Sequence, residues 1–131
     1  QAEFGRLFPE LTNDSSLDGA NKAASMTGTV VLYKGAHTVI ADHQSPALVL
    51  DGTTATVART GLGDVLAGFA AGWGALSGAA NSSVTHATLA SAALLHATAA
   101  ERSAASSASV IAESLARLTQ QLLKQDQKIC K

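Results

Sequence analysis

The period of the apolar residues changes at Asp64, and that change limits the architectures open to the chain. Before it, "TVVLYKG" (29–35), "TVIAD" (38–42), "PALVLD" (46–51) and "TTATVA" (53–58) are short apolar runs. They read as strands, the first a buried one, with turns at 35–37 and at Asp51–Gly52. After it, Val65, Leu66, Phe69, Trp73 and Leu76 recur at helical spacing. Gly68 and Gly72 share one face of that helix. A glycine inside a helix costs about 1 kcal/mol against Ala, so these two are expected to admit a closely packed neighbour.

The flanking segments are helical. "AEFGRLFPEL" reads as a short helix ended near Pro9, and "SSLDGANKAASMTG" as an Ala-rich helix between a Ser cap and Gly28. Two further helices are expected at about 83–101 and 107–125, the first capped by Ser82 or Ser83. The second carries Val110, Ile111, Leu115, Leu118 and Leu122 as its apolar stripe, and residues 126–131 follow as a solvated tail. Helices, a few strands, then long helices suggest an α/β or α+β layer with an incomplete sheet.

The 131 residues fit one domain or a piece of one. Hydrophobic residues make up 47% but aromatics only 4%, so the core is expected to be Ala, Val and Leu in close contact. A net charge of −1 gives no sign of a nucleic-acid or membrane-surface partner. The apolar run 65–80 is too short and too rich in glycine for a bilayer span. The N-terminus shows no basic segment followed by an apolar one, so no signal peptide is expected. The single Cys130 excludes an intrachain disulfide and suggests a reducing, cytoplasmic setting. The first residue is Gln1, which reads as a chain cut from something longer.

The chemistry concentrates in "GLGD", Gly61 to Asp64. Glycines let the backbone turn tightly and bring its N–H groups to a ligand. The helix that follows adds unpaired N–H groups and the positive end of its dipole, a setting that holds phosphate. Asp64, in the first turn, is placed to take a proton from a hydroxyl while the turn holds a phosphoryl group. Alone, so short a motif most often marks only a capped helix. A second feature lies upstream: Lys34, leaving a strand beside Gly35, can face a nucleotide phosphate or ring. Alone, such a lysine is usually a solvated turn residue.

Together, "VVLYKGAHTVIAD" and "GLGDVLAG" resemble the ADP-dependent NAD(P)H-hydrate dehydratase family, of ribokinase-like fold. The opening "AEFGRLFPEL" and the trailing "HATLASAALLHATAAERSA" are similar to family helices, so the resemblance covers residues 1 to about 125. It implies the C-terminal part of a single three-layer α/β domain. It implies removal of water from hydrated NADH or NADPH with ADP or ATP, the hydroxyl being phosphorylated and the phosphate then eliminated. Lys34, Gly35, Ala36, His37 and Thr38 would border the adenine nucleotide. Gly61, Leu62 and Gly63 would form the anion hole through their N–H groups, Asp64 would be the base, and Mg²⁺ would bridge phosphates.

Arg59 and Thr60 add bulk and charge where the family usually has smaller residues, and Thr53-Thr54 stands for a Gly-Asn or Gly-Thr pair. The family's N-terminal half and its Thr-Pro-His loop are not in this sequence. The chain alone is therefore expected to fold poorly and be inactive, and to pair with that missing half or with a second copy. His37 is either a solvated turn residue or a nucleotide contact. His86 and His96 point in different directions on one helix, and no metal site is expected from them. Trp73 is expected in the core, and Cys130 to be incidental. A ribokinase-like kinase for a hydroxymethylpyrimidine or thiazole alcohol, and a non-catalytic relative, are the competing readings.

Overall fold

The computed structural model describes residues 2–51, 60–81, 83–103 and 107–129, without the side chains of 80, 81 and 126–129. The expected strand 53–58, and Gly52, Arg59, Ser82 and Cys130, lie outside the described residues.

Helix α1 (Ala2–Leu7) ends before Pro9, which opens a 3-10 turn at Pro9–Leu11. Helix α2 (Ser16–Thr27) begins at Ser15, whose hydroxyl accepts the N–H of Asp18, and ends at Gly28 in the left-handed conformation. Strands β1 (Val31–Tyr33), β2 (Thr38–Ala41) and β3 (Leu48–Leu50) form an antiparallel sheet with β2 in the middle. Three long helices follow: α3 (Leu62–Asn81), α4 (His86–Arg102) and α5 (Ala108–Ile129). This α/β arrangement of few strands followed by long helices is the one expected from the C-terminal part of a ribokinase-like fold.

The central position of β2 explains its burial along its whole length, whereas β1 is half-buried and β3 mostly exposed. The expectation of a buried strand at 29–35 is thus corrected: β1 is half-buried and an edge among the described strands, and the buried strand is β2. Val39 pairs with Tyr33 and Ala41 with Val31, so these four share a face, and they pack on Ala20 and Ala24 of α2. The other face carries Leu32 and Leu50, which pack against Leu66, Ala70, Ala92 and Ala93 of α3 and α4. Below, Leu62 meets Ala99, Ala100, Ile111 and Leu115. Three layers result, α2, sheet, and α3 to α5, held by small side chains as the low aromatic content required. Most of the aromatics gather at two places. Phe4 stands edge-on to Tyr33 at 4.5 Å, and Phe69 lies 5.6 Å from Trp73. Trp73 is half-buried in the core and donates its indole N–H to Ser91 at 3.1 Å.

Several expected faces are corrected. Leu66, Ile111 and Leu115 of the expected stripes are buried, but Leu76 is 71% exposed, and Val110 and Leu122 are also exposed. Among the described residues, no atom outside α3's own backbone lies within 4 Å of where a Cβ on Gly68 or Gly72 would stand. The packed glycines are Gly74 and Gly78, against which Val84 closes at 3.6 and 3.4 Å. Helix α4 is capped by Thr85, which exchanges hydrogen bonds with Thr88, and not by Ser83. Helix α5 continues to Ile129, beyond the expected 125.

Candidate active site

Gly61 enters α3 with φ +82°, a left-handed conformation that costs a side-chain-bearing residue about 1–2 kcal/mol. The turn is tight enough for the first helical bond, from Val65 N–H to the Gly61 carbonyl at 3.1 Å. Two residues on, a Cβ built on Gly63 would stand 3.2 Å from Lys34 Nζ and 3.5 Å from its Cε. The lysine of the β1–β2 turn therefore lies directly over the glycine turn. The helix starts at Leu62, not at Asp64, which places Asp64 within the first turn with its side chain exposed. A carboxylate there complements the helix dipole. Leu62 itself is buried, so only its backbone is available to a ligand.

The other predicted residues flank this meeting point. His37 bonds Asp51 at 2.9 Å through Nδ1. The β2–β3 register dictates the pair, since Thr38 faces Leu50 and the next position out sets His37 opposite Asp51. Thr38 is buried at the start of β2, while Gly35 and Ala36 are exposed in the turn. A Cβ on Gly35 would stand 3.3 Å from the His37 carbonyl oxygen. Thr60 is exposed beside Gly61.

Two histidines act where sequence reading saw only an unsuitable metal pair. His96 is 6% exposed and its Nε2–H donates to the Leu62 carbonyl at 3.1 Å. Burial pushes its pKa below the ordinary value, against the raising effect of the Leu62 bond, and the Lys34 charge lowers it further. The signal was available: His96 lies three or four residues from Ala92, Ala93, Ala99 and Ala100, the buried stripe of α4. His86 meets Asp42 at 2.6 Å, a carboxylate 44 residues away. Asp42 also accepts the N–H groups of Gln44 and Ser45; the Gln44 bond is foremost in holding its carboxyl below the usual range. Among the described residues no group of three His, Cys, Asp or Glu side chains could hold a metal ion. No described helix is long and apolar enough to cross a membrane.

A sequence profile of the family described as NAD(P)H-hydrate dehydratase matches residues 1–122. The chain belongs to that family. Among curated relatives, the bifunctional NAD(P)H-hydrate repair enzyme Nnr of Synechocystis sp. is 43% identical over 70 residues. That stretch is 53% of this chain and 13% of the relative. The protein of the same name from Thermosynechococcus vestitus is 42% identical over 72 residues, 53% of this chain and 14% of its own. The Gloeobacter violaceus protein of that name is 39% identical over 66 residues, 50% of this chain and 13% of its own. The chain thus matches about an eighth of the length of these relatives. No solved structure matches it. Within the family's fold, the two motifs that carried the resemblance face each other, joined by Lys34 and Gly63.

Proposed function

We propose that the chain carries the nucleotide turn and the general base of an ADP- or ATP-dependent dehydratase acting on hydrated NADH or NADPH. The observation that supports this is the ammonium of Lys34 lying over Gly63, at the N-terminal turn of α3. A cation, a turn with no Cβ at its closest point, and first-turn N–H groups that have no intrahelical partner together suit a phosphoryl oxygen. Lys34 and the N–H groups of Gly61 to Gly63 would hold the transferring phosphoryl group. Lys34 to Thr38 would border the adenine nucleotide. Asp64, exposed on the same turn, would take the proton from the substrate hydroxyl as its oxygen attacks the terminal phosphorus and AMP leaves from ADP, or ADP from ATP. Loss of that phosphate from its ring carbon, with a proton from the neighbouring carbon, then restores the ring double bond. Mg²⁺ would accompany the nucleotide's phosphates, and no step above depends on it.

The test is dehydration of hydrated NADH by the intact protein, followed by the restored NADH absorbance. Asp64→Asn is expected to lower kcat by about 10²-fold or more while nucleotide binding persists. Near wild-type turnover by Asp64→Asn would reduce Asp64 to a helix-dipole partner.

A further inference from the structure

We infer that His96 is a positioning residue for the Gly61–Asp64 turn, acting through its hydrogen bond to the Leu62 carbonyl. The inference rests on the reading of that turn as the reaction site.

The geometry supports it from three sides. His96 lies on α4, a different element from the turn, so its bond ties the start of α3 to the helix behind it. The bonded carbonyl belongs to the residue between the left-handed Gly61 and the Lys34-covered Gly63. Leu62 is also anchored by its side chain among Ala99, Ala100, Ile111 and Leu115. Side chain and carbonyl are thus both held, and the backbone from Gly61 to Asp64 has little freedom to rotate. A buried polar group is retained only with a partner, and among the described residues the Leu62 carbonyl is the hydrogen-bond partner of His96.

The tautomer follows. With Lys34 nearby and no carboxylate among the described residues bonded to it, the buried imidazole is neutral and carries its one proton on Nε2. The hydrogen bond that His96 makes goes to the Leu62 carbonyl and not to Asp64. Its role is therefore to hold the oxyanion-binding turn in place and not to transfer a proton, and such a role should show in kcat more than in nucleotide binding.

The experiment compares His96→Gln, which keeps an N–H donor at the ε position, with His96→Asn, whose donor falls short, and His96→Leu, which has none. Amide hydrogen exchange at Val65, bonded to Gly61 in the first turn, is read in all three. Exchange is expected to quicken about 10-fold in the Asn and Leu variants and to stay near wild type in Gln. In the dehydration assay, kcat should fall about 10-fold or more in Asn and Leu, with nucleotide KM within about 3-fold, and be largely rescued in Gln. Unchanged Val65 exchange in the Asn variant overturns the inference, whatever the activity. Loss in Gln equal to that in Asn also overturns it, since packing alone would then be responsible. An inactive wild-type protein with the expected exchange pattern would refute the proposed reaction and leave the tether standing.

Discussion

Lys34 Nζ lies 3.2 Å from the point where a Cβ on Gly63 would stand, so a lysine from the sheet occupies the space that one glycine on α3 leaves open. The contacted atom is the free end of a flexible chain, which can swing aside at little cost. Gly63→Ala is therefore expected to change stability by less than about 1 kcal/mol, the helix preference of Ala offsetting the crowding. Binding of adenine nucleotide should nevertheless weaken by about 10-fold, because the ammonium has moved from the turn. Thermal unfolding beside equilibrium titration with ADP checks this. A stable variant with unchanged affinity would mean that Lys34 does not serve the nucleotide from this position.

Gly61, just before α3, and Gly72, within it, should respond in opposite senses. Gly61→Ala places a Cβ on a backbone at φ +82° and is expected to cost about 1–2 kcal/mol. Gly72→Ala meets no described neighbour within 4 Å and should stabilise by about 0.5–1 kcal/mol. Urea unfolding followed by the single Trp73 separates the two.

Acid should act in two separate windows. The pKa of His96 is lowered from its ordinary 6.5, chiefly by burial, so the unfolded chain takes up that proton first. Its contribution to stability is complete above about 6.5 and declines as pH falls toward the lowered folded value. Asp42 is lowered from 3.8, first by the Gln44 N–H, so its contribution is complete above that value and is lost as pH falls through the folded one. Thermal midpoints between about pH 8 and about pH 5 should therefore fall in the wild type and fall less in His96→Gln, while Asp42→Asn should lessen the fall seen below pH 3.8.

The order of elements and most of their ends were readable because their causes are local. Ser15 caps α2 by bonding Asp18, three residues on, and Gly28 ends it by its own conformation. The existence of α3 followed from the apolar period after Asp64, but its packed face did not. Gly68 and Gly72 have the same spacing as Gly74 and Gly78, and only the approach of Val84 and Leu89 distinguishes the pairs. In α5 the same ambiguity made Val110 and Leu122 look equivalent to Ile111 and Leu115, although only the latter two reach Leu62 and Ala99.

The sequence by itself determined the helices and strands of the described residues, the glycine turn with its carboxylate, and the family. Each of these is set by torsional preference, by hydrogen bonds spanning a few residues, or by apolar period. Only the tertiary structure decided that Lys34 lies over Gly63, that His96 takes the Leu62 carbonyl 34 residues away, and that His86 finds Asp42 across 44. Those meetings depend on how far each helix rotates before its alanines seat against the sheet, and that rotation is settled by all the packed surfaces together. A histidine on an alanine face is a satisfied buried polar group once a carbonyl is brought to it, and nothing within its own helix supplies that carbonyl.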